Sequence, residues 1–120
     1  MIRDRINLTF SVIQVFKKIG LVDKKKYEYY LKVLDEITKH EDLMDKDAKL
    51  INQVELSYQN NGNTIRVKIY FKNRKSYTFD LNLGEFVLPK GKKKSLWPIE
   101  QSLYLILGDR KRYGIKYKVV

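Results

Sequence analysis

The chain has 120 residues, 43% of them hydrophobic, with no cysteine, one histidine and a formal net charge of +11. That length suits one domain, residues 1–120, burying roughly two-thirds of the surface its unfolded form exposes. The missing cysteines exclude a disulfide framework and thiolate metal sites, and His40 alone cannot build a histidine-rich one, so no cofactor or metal is expected.

Residues 1–60 hold 11 basic and 10 acidic side chains, whereas residues 61–120 hold 14 basic and 4 acidic. An excess confined to one half points to a polyanionic partner, with nucleic acid first and an acidic protein surface second. Charged Arg3, Asp4 and Arg5 follow Met1, and no long apolar run follows them. Neither a secretory signal nor a membrane span is expected, which implies a cytoplasmic protein without a membrane partner.

Residues 5–20 fit two patterns, because Ile6, Leu8, Phe10 and Val12 alternate while Phe10, Ile13, Phe16 and Ile19 could line a helical face. A helix from about Leu8 is favoured, with Asn7 or Thr9 capping its start, Lys17 and Lys18 in its last turn and Gly20 closing it. Asp23 is an N-cap for a second helix over 24–39, in which Tyr27, Tyr30, Leu31, Leu34 and Ile37 share a face. Glu28 precedes Lys32, and Asp35 precedes Lys39, by the four residues that support ion pairs. Lys24, Lys25 and Lys26 oppose the dipole of its first turn, and Tyr29 falls off the apolar stripe, where an exposed tyrosine suits a protein interface. Residues 41–52 read as an acidic connector with a helical turn around Ala48–Ile51.

From Gln53 to Leu83 the pattern is a three-stranded antiparallel meander. Gln53–Gln59 and Thr64–Phe71 alternate on either side of Asn61-Gly62, a hairpin-turn pair. This sets Tyr58 opposite Ile65, Leu56 opposite Val67 and Val54 opposite Ile69; a one-residue slip would turn all six outward. A three-residue loop, Asn73-Arg74-Lys75, then sets Phe71 opposite Tyr77, Ile69 opposite Phe79, Val67 opposite Leu81 and Ile65 opposite Leu83. On the other face this register places Lys68 between Glu55 and Asp80 and leaves Arg66, between Ser57 and Asn82, as the uncompensated cation.

After Pro89 comes the densest basic run, Lys90 to Lys94. Ser95 can cap a helix with Pro98 in its first turn, Leu96, Ile99, Leu103 and Ile106 on one face, and Gly108 closing it. Tyr113, Ile115, Tyr117 and Val119 then alternate as a last strand pairing with an edge of the meander. The expected fold is α+β in the order ααβββαβ, with an antiparallel sheet of three to four strands backed by helices.

Three basic groups are the candidate binding residues: Lys72, Arg74 and Lys75 at a hairpin tip; Lys90, Lys92, Lys93 and Lys94 in a loop; and Arg110, Lys111, Arg112 and Tyr113 beside Lys116 and Lys118. Lysines in loops contact phosphates without reading bases, while arginine beside tyrosine can also stack. His40 sits at a helix end and suits a surface group better than a catalytic base. Lys90-Gly91-Lys92 lacks P-loop spacing. Asp80 and Glu85 with Lys90 would be the start of a magnesium-dependent nuclease, but no third carboxylate is spaced to join them. These residues favour a small non-enzymatic nucleic-acid-binding protein. The alternatives are an inhibitor or accessory subunit whose cations enter the phosphate channel or acidic patch of a nucleic-acid-handling partner, and a toxin-like ribonuclease.

Overall fold

Period-two patterning in the middle of the chain closes as three consecutive strands, β1 (Ile51–Gln59), β2 (Thr64–Phe71) and β3 (Ser76–Asn82). They belong to a computed structural model that describes residues 2–46, 50–59, 64–84, 97–108 and 114–120. Before them come helices α1 (Ile2–Lys18), α2 (Lys24–Thr38) and the short α3 (Glu41–Lys46); after them come α4 (Trp97–Leu107) and β4 (Lys116–Val119). The architecture is α+β, with the four strands in the order β3-β2-β1-β4.

The first hairpin stands in the expected register, with Tyr58 on Ile65, Leu56 on Val67 and Val54 on Ile69. Its Asn61-Gly62 turn lies outside the described residues. At the other end of β1, Ile51 faces Phe71 and Gln53 faces Tyr70, so Asn52 is an extra residue opposite the junction. This bulge returns Ile51 to the buried side, which is why simple alternation reads only from Gln53 onward.

The second hairpin differs from expectation by two residues: Ile69 faces Tyr77, Val67 faces Phe79, and Ile65 faces Leu81. The loop is Lys72-Asn73-Arg74. The Arg74 N–H donates to Phe71 O at 3.1 Å, the Phe71 N–H donates to Lys75 O at 2.9 Å, and Arg74 takes φ 68°. A turn followed by a left-handed residue is a common three-residue hairpin. Asn73 fixes it by accepting from the Lys75 N–H at 3.1 Å. A two-residue shift leaves every side chain on its own face. Ile65, Val67, Ile69, Phe71, Phe79, Leu81 and Leu83 are therefore buried as expected, with Tyr77 half-buried.

The fourth strand pairs with β1, an edge of the meander, but in parallel: Gln53 faces Lys116, Val54 faces Tyr117, Glu55 faces Lys118 and Leu56 faces Val119. A helix between two strands of one sheet carries the chain back to its starting end, so β4 follows α4 in the direction of β3 and β1.

Helix α1 begins at Ile2, six residues earlier than expected, burying Ile2, Ile6, Thr9 and Ile13 at helical spacing. Its end is a Schellman cap: Leu21 N–H reaches Phe16 O at 2.9 Å, Gly20 N–H reaches Lys17 O at 3.1 Å, and Gly20 takes φ 81°. Asp23 caps α2 by accepting from the Lys26 N–H at 2.7 Å. Tyr29 is buried rather than exposed, as are Tyr30, Val33, Leu34, Glu36 and Ile37. The expected stripe was too narrow because α2 touches α1, α4 and β3. The connector opens with α3, where Met44 is buried; the turn expected around Ala48–Ile51 falls partly outside the described residues.

Buried Glu36 ties α2 to the sheet. Its Oε1 accepts from the Asn82 N–H at 2.8 Å and its Oε2 from Lys39, which therefore pairs three residues back rather than with Asp35. Burial pushes this carboxyl up, but the Lys39 and Asn82 hydrogen bonds and nearby lysine charge outweigh it and hold the group below the usual carboxylate range. The end of α4 is satisfied by neighbours. Arg5 donates to Ile106 O at 3.3 Å, and the Tyr117 hydroxyl donates to Gly108 O at 2.5 Å.

Phe79 joins the core beneath the sheet. Phe79→Ala should cost about 3–5 kcal/mol, read as a lower urea midpoint at unchanged slope. The register itself is testable by oxidation. Arg66→Cys/Asp80→Cys should close a disulfide, since Arg66 and Asp80 face each other, whereas Arg66→Cys/Asn82→Cys, a diagonal pair about 7–8 Å apart, should not.

Candidate nucleic-acid interface

Inward-pointing Val54, Leu56, Val67 and Ile69 leave the alternate residues of each strand on an outer face that polar side chains cover. Cross-strand pairing arranges these in rows. One runs Lys116, Gln53, Tyr70, Ser76; the next runs Lys118, Glu55, Lys68, Thr78; a third runs Ser57, Arg66, Asp80. Neighbouring strands lie about 4.8 Å apart, so each four-strand row spans about 15 Å.

The corrected register redistributes the charge. Arg66 grips Asp80 with two hydrogen bonds, Nε to Oδ1 at 2.9 Å and Nη2 to Oδ2 at 3.3 Å, so it is not the uncompensated cation expected. Lys68 faces Thr78 where Asp80 was expected. Glu55 in turn accepts from Gln53 Nε2 at 3.0 Å and from the Tyr70 hydroxyl at 3.1 Å. Both carboxylates of this face are engaged within it. The Lys68 ammonium lies 5.0 Å from the centre of the Tyr70 ring, an attraction between a cation and the negative face of an aromatic.

Of the expected binding residues, Lys72, Arg74 and Lys75 are exposed at the β2–β3 tip, and Lys116 and Lys118 are exposed on β4. Parallel pairing puts Lys116 in the row of Tyr70, the residue two before Lys72, so strand and tip cations gather at one end of the sheet. Face and tip together carry Arg66, Lys68, Lys72, Arg74, Lys75, Lys116 and Lys118 against Glu55 and Asp80. Lys90, Lys92, Lys93, Lys94, Arg110, Lys111, Arg112 and Tyr113 lie outside the described residues. Lys68 is the cation that the expected register hid, by placing two carboxylates beside it. The one signal that could have revealed it is Asn73, whose side chain favours a turn centred one residue earlier.

His40 is a half-buried structural group and not the solvent-exposed helix end expected. Its ring stacks on Phe79 with centroids 4.4 Å apart, and Nδ1 lies 3.2 Å from the Tyr77 hydroxyl. Among the described residues no group of three or more His, Cys, Asp or Glu could hold a metal ion. No described helix is long and apolar enough to cross a membrane.

Burial lowers the His40 pKa, the Lys39 charge adds to this, and Glu36 and Asp80 oppose it. The unfolded histidine, near pKa 6.5, then takes up its proton first, so stability falls as the pH drops through about 6.5 towards the lower folded value. His40→Gln should flatten that part of the curve of urea stability against pH; an unaltered curve would assign the titration elsewhere. Compared with protein-family models, with curated proteins and with solved structures, the chain matches none.

Proposed function

We propose that this is a small, basic, non-enzymatic protein that binds single-stranded nucleic acid, contacting phosphates with the tip and outer face of its sheet. The observation that carries the reading is the convergence of Lys68, Lys116 and Lys118 with the tip residues Lys72, Arg74 and Lys75, where both local carboxylates are already engaged. Cations spread over about 15 Å of rigid strands are held apart, and so match a polyanion better than a single small anion. Tyr70, half-buried with its hydroxyl held by Glu55, offers a fixed ring beside that charge. The basic residues of 90–94 and 110–113, which lie outside the described residues, belong to the same proposal as additional phosphate contacts.

The test is a titration with labelled single-stranded DNA and RNA over a range of salt. Neutralising a contacting residue, as in Lys116→Gln or Lys118→Gln, should reduce the slope of log affinity against log salt by about 0.7 each. Glu28→Gln, an exposed position of α2, should leave the slope alone. If affinity proves independent of salt, or survives loss of both lysines and the tip cations, direct binding is wrong. The cations would then serve a protein partner, as in an inhibitor occupying a phosphate channel.

A further inference from the structure

The corner where α1 meets α2 has a different composition from the sheet face. Ile19 is 63% exposed and Leu21 is 65% exposed, on either side of Gly20. Their outward position is built in. The Schellman hydrogen bonds fix Gly20 and Leu21, and the contact that such a cap offers Leu21 on Phe16 leaves most of the leucine in water. Exposed Lys17 and Lys18 precede this apolar point in the chain, and exposed Lys24, Lys25 and Lys26 follow it. The one carboxylate between them, Asp23, is occupied in capping α2. Lys17 lies 4.4 Å over the ring of half-buried Tyr27. The apolar surface continues along α1, where Val15 is 53% and Leu8 is 59% exposed; with Val12 and Ile19 they fall at spacings of four, three and four on one outer stripe.

We infer that this corner docks on an anionic lipid surface, with Ile19 and Leu21 entering the headgroup boundary and the flanking lysines contacting acidic headgroups. Composition selects this partner. A nucleic acid would satisfy the lysines and leave two large aliphatic side chains in water. Protein interfaces are enriched in aromatics and arginine and depleted in lysine, whereas this corner has five lysines and no arginine. A membrane interface takes all three ingredients at separate depths: aliphatic side chains below the headgroups, tyrosine and lysine at their level. Lysines set against the dipole of the first turn of α2 have a use here, because the positive end of the helix adds to the attraction for acidic headgroups. Crossing a bilayer needs a long apolar helix, but lying on one needs only such a patch.

The experiment is co-sedimentation with phosphatidylcholine vesicles, with and without phosphatidylserine to supply the negative surface potential of an anionic leaflet. The chain should bind the mixed vesicles and bind pure phosphatidylcholine far more weakly. Ile19→Ser/Leu21→Ser, which alters only exposed side chains, should keep the circular dichroism spectrum and lose at least about tenfold in affinity. Lys24→Gln/Lys25→Gln/Lys26→Gln should lose about fivefold for each lysine. Failure to bind mixed vesicles at low salt overturns the inference, as does equal affinity for both vesicles. Full binding by the serine variant also overturns it, because lysine adsorption alone would then explain the result.

Discussion

The backbone of Arg74 decides how charge is distributed over the outer sheet. Its left-handed φ of 68° ends the β2–β3 loop at residue 74 and so fixes which residues of β3 face β2. Apolar patterning cannot make that choice, since registers two residues apart bury the same side chains. The polar face is where they differ. In one, Asp80 stands beside Lys68; in the observed one it pairs with Arg66, and Lys68 lies over Tyr70 instead. A side chain on this conformation is strained relative to glycine, and the strain is offset by two backbone hydrogen bonds and the Asn73 cap.

Beneath the sheet, polar groups do much of the locating that apolar packing leaves undetermined. A buried aliphatic contact is non-directional, whereas Glu36 accepts from a single backbone N–H, that of Asn82, and so sets α2 against β3 along the strand axis. His40 extends the same junction by stacking on Phe79. Tyr117 does the equivalent for the short edge strand β4: its ring meets Tyr104 edge-on at 4.4 Å, and its hydroxyl reaches the carbonyl of Gly108 beyond α4. Four residues of ladder hold an edge strand weakly. Anchoring through Tyr117 fixes its phase, and the phase is what turns Lys116 and Lys118 outward.

Much of the fold was legible because the strongest local signals agreed with the long-range pattern. Asp23 capped α2 as its chemistry demands, and the alternation of β1 and β2 reproduced their pairing residue for residue. What was not legible came from interactions that a one-dimensional pattern does not contain. Tyr29 lies off a stripe drawn for one packing partner but is buried because α2 packs on α1, α4 and β3 together. The start of α1 was hidden because Ile6, Leu8, Phe10 and Val12 alternate like a strand over the same stretch in which Phe10, Ile13, Phe16 and Ile19 fall at helical spacing. At the candidate interface, the tip and β4 lysines were readable as exposed cations. The partners of Lys68 and Arg66 were not, because they depend on a turn that Asn73 and Arg74 could each have centred. The parallel direction of β4 follows from the presence of α4, a topological consequence that alternation in the strand does not record.

The two lysine-rich surfaces show that charge alone does not define a partner; the neighbouring groups do. On the sheet, lysines alternate with Gln, Ser and Thr around one hydrogen-bonded tyrosine, so a ligand approaching them meets polar atoms throughout. At the α1–α2 corner the lysines flank in the chain an isoleucine and a leucine that are mostly exposed. Hydrated phosphate is compatible with the first surroundings, while the second also rewards a partner able to take apolar area out of water. Because the chain is strongly basic overall, any polyanion will be attracted to it at long range. Discrimination must therefore arise at contact, and it rests on the side chains between the lysines.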